Sequence, residues 1–218
     1  MALLDAYATG AEYLVDTGQK ISADALLTAQ LTGVSRLLEL ALRVMPGAFN
    51  AHTGTYVFDG YGTERLRLRD EQGRSYFLRS ITADSLKIDA DLDGAFDDYL
   101  LDAADAWVRL GPVNAAAFSE PYRWIELRPL QSASVTLYRF PAAAGCVEIT
   151  GAWGWLAVPD LVKRLVIHRT HELREGLKSG ALEQLPTFEG GVPMRTQTFW
   201  LWKEAERLYG RRHIPVIV

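Results

Sequence analysis

The hydrophobic period of this chain changes twice, and that alternation limits its fold more than any other feature. Between residues 22 and 45 the apolar positions Leu27, Leu31, Val34, Leu38, Ala41 and Met45 recur every three or four residues. Such a stripe lies along one helix face and has to be buried against something. Ser22 is placed to cap this helix, Asp24 adds charge that the helix dipole favours, and Pro46-Gly47 is expected to end it. A weaker helix is expected over Leu3–Val15. From Thr55 the runs become short and β-like: Thr55–Phe58 before the Asp59-Gly60 turn signal, Leu66–Arg69 with period two, and Ser85–Asp89 and Tyr99–Leu101 flanking Asp93-Gly94. Trp107–Leu110, Trp124–Leu127, Val135–Phe140 and Cys146–Thr150 are further strand candidates. The helical period returns at Pro159, with Leu161, Val162, Leu165, Val166 and Leu173 on one face and Gly176 as a stop. A last amphipathic helix is expected over Thr196–Tyr209, ended by Gly210.

The expected class is therefore α+β. Long helices near 22–45 and 159–176 and a C-terminal helix near 196–209 form a helical core, with an antiparallel β insertion over about 55–150. Residues 1–176 are expected to hold the core and its insertion. Residues 177–218 are expected to hold a linker, the last helix and a tail.

Composition fits a globular chain of 218 residues, with 49% apolar and 23% charged residues. The longest uninterrupted apolar runs span only a few residues, so no transmembrane helix is expected. The start, MALLDAY, lacks a basic segment followed by an apolar one, so no secretory signal is expected. A lone cysteine, Cys146, excludes an intrachain disulfide and a multi-cysteine zinc site, and a buried inert thiol is its expected state. The formal net charge of −4 argues against a dedicated nucleic-acid binder. That charge is uneven: residues 1–159 carry 13 basic and 20 acidic residues, and residues 160–218 carry 10 and 7.

Much of the acid excess surrounds Asp89-x-Asp91-x-Asp93-Gly94, which matches the opening of a calcium loop, with Phe96 and Asp97 fitting later positions. The closing bidentate Glu of such a loop is replaced by Leu100, and the flanks are β-like, so an acidic hairpin turn is the preferred reading. His168, His171 and Glu172 form H-x-x-H-E on a helix. Histidines three apart share a face, yet the order matches no zinc-protease motif, so no metal site is assigned. There is no G-x-S-x-G elbow and no glycine-rich phosphate loop, and the carboxylate spacing singles out no acid–base pair. No enzyme and no cofactor are expected. Trp153 and Trp155 suit a packed corner after the last strand. Trp200 and Trp202 lie two apart on a helix and cannot both face one core, so one of them is expected at a subunit or partner interface.

Several stretches in order carry a resemblance: Tyr7-Ala8-Thr9, Asp24–Leu27, Ser35–Glu39, Tyr56–Gly60, the acidic hairpin, Trp107–Ala115, Pro121–Leu127, and Val147-Glu148-Ile149-Thr150-Gly151-Ala152-Trp153-Gly154-Trp155 leading to Val158-Pro159. This order resembles the head–tail connector (adaptor, head completion) proteins of tailed bacteriophages over roughly residues 7–176. Residues 179–218 match only loosely. The resemblance implies a structural virion protein of the neck, assembled in the host cytoplasm as a ring, in the family a dodecamer, beneath the portal. It implies the portal protein and a tail-side stopper or tail terminator as partners, with double-stranded DNA passing through the lumen unbound and no membrane. It also implies that a C-terminal segment docks on the portal, here Arg211, Arg212, Ile214, Pro215, Val216, Ile217 and Val218. The acidic hairpin with Asp89, Asp91, Asp93 and Asp97 would face the lumen or the tail-side partner. The residues also leave open a calcium-dependent or ligand-binding β module and a hydrolase or metal enzyme using His168, His171 and Glu172.

Overall fold

A computed structural model describes residues 5–20, 24–97, 99–101, 107–128, 137–179 and 196–210. The class is α+β, with four α-helices and two antiparallel sheets among the described residues. The described residues fall into two compact units: residues 48–157 form a β unit, and those up to Gly47 and from Val158 onward form a helical unit.

In the helical unit, α1 (Gly10–Thr17) starts at a capping box. The Thr9 hydroxyl accepts from Glu12 N at 3.2 Å, and the Glu12 carboxylate accepts from Thr9 N at 2.8 Å. The helix therefore begins several residues later than expected, and its described N-terminal neighbours, including the buried Tyr7, are not helical. Helix α2 (Ala25–Leu42) is capped by Asp24, which accepts from Leu27 N at 2.7 Å. Ser22 lies outside the described residues. The helix stops three residues short of the expected end, because Arg43 turns left-handed at φ 53 and Val44 N donates to Glu39 O. Leu27, Leu31, Val34 and Leu38 are buried as the period requires, but Leu42 takes the place expected of Ala41, which is exposed.

Among the described residues α2 alone is long and apolar enough to cross a membrane, which its scattered short apolar runs did not suggest. Its buried stripe, however, packs within the helical unit, beside the polar Ser35 and Glu39. Helix α3 (Asp160–Ser179) passes through Gly176, and α4 spans Thr196–Tyr209, with Gly210 N closing onto Glu206 O. Polar ties join these helices. Lys163 reaches Glu12 at 2.7 Å, Arg174 reaches Gln30 at 2.8 Å, and Tyr7 donates from N to Ser35 and from its hydroxyl to Glu39. Glu172 accepts from Arg169 at 3.0 Å and from Thr198 of α4 at 2.5 Å.

The β unit holds β1 (His52–Phe58), β2 (Arg65–Arg67), β3 (Leu78–Ile88), β4 (Tyr99–Leu101), β5 (Val108–Gly111), β6 (Trp124–Leu127) and β7 (Val147–Trp153). One sheet has the order β1-β7-β3-β4 and the other β2-β6-β5. Asp59-Gly60 is not a hairpin turn, since β1 pairs with β7 in the register His52↔Trp153 to Phe58↔Val147. Gly60 N instead donates to Ala143 O, and Asp59 accepts from Gly145 N at 2.8 Å. Strand β3 is interrupted between Ile81 and Leu86 by a bulge in which Thr82 N donates to the Ser85 hydroxyl and Asp84 takes φ 53. Of the expected strand 135–140, the described part, residues 137–140, is not a strand. Inward residues of both sheets share one core, among them Phe58, Leu66, Leu86, Ile88, Ile125, Leu127, Val147 and Ile149. At its centre Trp153 is fully buried, stands edge-on to Tyr56 at 4.9 Å between ring centroids, and donates its indole N–H to Gly54 O at 2.9 Å. After it, Gly154 takes φ 76, and a Cβ there would lie 1.9 Å from Asn50 O, so only glycine fits.

Candidate functional site

The acidic segment is a hairpin loop between β3 and β4, which pair from Leu86↔Leu101 to Ile88↔Tyr99. Asp89 is buried and its carboxylate accepts from Leu92 N at 2.7 Å and Gly94 N at 3.0 Å. Asp91 accepts from Asp93 N, and Asp93 from Ala95 N at 2.8 Å. Successive aspartates thus cap the backbone of their own loop, as short acidic side chains do in turns. One carboxylate oxygen from each of Asp89, Asp91 and Asp93 lies within 4.8 Å of the others. Asp97 is exposed and stands outside that group.

The helical candidates separate. His171 Nδ1 is 3.2 Å from the Tyr13 hydroxyl, His168 Nε2 is 3.7 Å from Asp16, and Glu172 is buried with Arg169 and Thr198. The three therefore serve different contacts rather than one point. Trp200 is 65% exposed and Trp202 is half-buried. Helix α2 also presents Leu26, Leu37 and Leu40 to solvent, the last at 74% exposure. Cys146 is buried and its thiol donates to Ala143 O at 3.3 Å; burial pushes its pKa up, against the hydrogen bonds around it. Arg211, Arg212, Ile214, Pro215, Val216, Ile217 and Val218 lie outside the described residues.

One surface was not singled out by sequence reasoning. Leu66, Ile125, Leu127 and Val108 of the three-stranded sheet point into the core, so the alternate residues point outward. Registration sets them in two rows, Arg65–Glu126–Arg109 and Arg67–Trp124–Gly111. Gly111 leaves room for the Trp124 indole: a Cβ there would come within 2.0 Å of its Cζ2. The Arg65 guanidinium stacks over that ring at 4.2 Å and reaches Glu126 at 2.7 Å. Arg128 approaches the other Glu126 oxygen at 3.5 Å. The Arg65 bond, aided by the charges of Arg65 and Arg109 and by Arg128, outweighs partial burial and holds the Glu126 pKa below its ordinary value. Neither Arg67 nor Arg109 makes an ion pair among the described residues. Four arginines thus surround one carboxylate and one indole. The alternation of Leu66-Arg67-Leu68-Arg69 shows one charged strand edge, but the face itself arises only when β2, β6 and β5 pair.

A cleft of about 480 Å³ in the β unit is lined by Val57, Asp59, Asp70, Arg74, Tyr76 and Gly145 among others. Its Arg74–Asp70 pair is closed at 2.6 Å, and burial raises the Tyr76 pKa.

No protein-family model matches this chain, and no curated protein matches its sequence significantly.

Proposed function

We propose that this chain is a structural subunit of a bacteriophage neck, forming a ring that joins the portal at the capsid vertex to the tail and extends the DNA channel. The ordered set of segments from Tyr7 to Pro159 carries this reading. Two features of the surface support it. Trp200 on α4 and the leucines Leu26, Leu37 and Leu40 on α2 are exposed, and a chain that shows such apolar groups on two helices is suited to burying them against other subunits. The acid excess of residues 1–159 suits a lumen that repels phosphate instead of gripping it.

In this reading Trp200 and Trp202 serve contacts between subunits. Ile214–Val218 adds a strand to a portal sheet edge, with Pro215 at a non-bonding position and Arg211 and Arg212 supplying charge before it. The other partner is a stopper or tail terminator protein. The chain acts without a cofactor and without catalysis, in the virion.

Imaging the purified protein alone and mixed with the portal protein of the same phage tests the reading. Rings seated on the portal are expected. A chain that stays monomeric and never co-assembles with the portal removes the proposal. Deleting 214–218 should leave the thermal unfolding of the chain unchanged and abolish attachment.

A second reading rests on the three converging carboxylates of Asp89, Asp91 and Asp93, which suit a hard cation such as calcium in a binding module. Calorimetric titration separates the two, since absence of heat at millimolar calcium eliminates a calcium-dependent function.

A further inference from the structure

The β unit is electrically divided. Residues 48–157 contain 10 basic and 15 acidic residues, yet eight of the acids fall within 84–105, where Lys87 is the only base. Lys87 is itself engaged with Glu148 at 2.9 Å. Asp93 and Asp97 of this segment make no ion pair among the described residues. On the three-stranded sheet of the same unit the proportions reverse. Glu126 closes onto Arg65 and Arg128, while Arg67 and Arg109 form no ion pair among the described residues, Arg109 acting on Glu126 only at longer range.

A guanidinium fixed on a strand presents a planar donor fork that suits a carboxylate in two-point contact. Trp124, seated on Gly111 beneath Arg65, gives this face a rigid floor. We propose that the arginine face of one copy receives the Asp89–Asp97 loop of a second copy of this chain.

Charge complementarity selects this occupant. The chain itself supplies a loop rich in carboxylates, held in shape by Asp89 and Asp93 through backbone N–H groups. A nucleic-acid duplex is disfavoured, because the surrounding unit is acid-rich and its field repels phosphates. The two surfaces are different patches of one molecule, so their contact is heterologous: each copy offers a face to one neighbour and a loop to the other. Such contacts close into rings when the rotation between copies permits and extend into filaments when it does not. Exposed charge pairs contribute little affinity each, so this contact fixes which surfaces meet, while apolar groups elsewhere hold the copies together. The inference rests on the ring reading above and specifies one of its junctions.

Sedimentation of the full chain at 50 and 500 mM salt tests it, with three variants whose thermal unfolding is checked in parallel. Wild type should self-associate, and more weakly at high salt. R67E/R109E and D93N/D97K, the latter keeping the amide oxygen that caps Ala95 N, should each weaken self-association roughly tenfold or more. The quadruple variant R67E/R109E/D93N/D97K should recover much of it, because opposite charges again face each other, which a merely structural role cannot produce. Doubles that associate like wild type, or a quadruple no better than the doubles, overturn the inference. Loss of duplex DNA binding by R67E/R109E with self-association intact also overturns it and assigns the face to nucleic acid. Rings that persist in both double variants would leave the neck reading standing without this junction. Salt-labile association lost in the doubles, with no attachment to portal, would do the reverse.

Discussion

The indole of Trp124 lies where a side chain on Gly111 would have to go, across the β5–β6 register that pairs the two residues. Gly111→Ala should therefore displace the ring and its stacked Arg65, at a cost of about 1–3 kcal/mol in unfolding free energy. The same substitution should cost much less in a Trp124→Ala background. Denaturant unfolding of the four proteins of this cycle measures it, and an equal penalty in both backgrounds would show that the ring is not the obstacle.

Trp153 joins the aromatic contacts of the β core to the β1 backbone. Trp153→Ala should destabilise the protein by roughly 3–5 kcal/mol, through lost burial and a cavity. Trp153→Phe should cost less, since it retains most of the ring contacts and loses chiefly the bond to Gly54 O. Equilibrium unfolding should rank the variants in that order, and a Trp153→Ala loss below about 1 kcal/mol would place the residue outside the core.

The Glu12–Lys163 pair should give acid-side pH dependence. Burial works against the Glu12 charge, but the bonds from Lys163 and Thr9 outweigh it, so its pKa falls below the ordinary carboxylate value. The unfolded chain then holds the proton more readily than the folded one, and the pair's contribution is present at neutral pH. It is lost as pH falls through the lowered value. Glu12→Gln, which retains a capping-box side chain, should cost less than about 1 kcal/mol at pH 7, because the pair is partly exposed. Thermal unfolding of both proteins from pH 7 to 3 should show the gap closing, whereas a gap that widens in acid would contradict the assignment.

Thr170 is fully buried on α3, and its hydroxyl has no hydrogen-bond partner among the described residues. Thr170→Val preserves shape and removes a buried polar group, so it should stabilise the chain by about 1 kcal/mol. A higher denaturant midpoint with an unchanged slope is the expected result, and a destabilised variant would mean that the hydroxyl is satisfied.

Cys146 should resist thiol reagents in the folded state, because it is buried and its pKa is raised. Labelling should proceed at least about tenfold faster in denaturant. Equal rates in the two conditions would show an accessible thiol.

The helices and several strands were legible because their determinants are local. The three- and four-residue spacing of Leu27, Leu31, Val34 and Leu38 gives the buried face of α2, and Trp124–Leu127 alternates over the span of β6. Ends were less legible, since they depend on single residues. A left-handed Arg43 stops α2 before Pro46, and Gly176 is carried through α3 despite its reputation as a stop. The pairing of β1 with β7 was hidden because Asp59-Gly60 has the composition of a hairpin turn while the true partner lies some ninety residues on. The arginine face required three strands in register, which no single segment displays. His168 and His171 share a helix face, but α1 gives them separate partners in Asp16 and Tyr13.

The division of the chain also orders its birth. The β unit is one continuous stretch, 48–157, whereas the helical unit takes α1 and α2 from before it and α3 and α4 from after it. On a ribosome adding about 5–20 residues per second, α2 waits roughly 7–27 s for the α3 segment to be made. During that interval α2 lacks α3, one of the helices it packs against. The β unit can close first, and the apolar stripe of α2 stays partly uncovered until the later helices arrive.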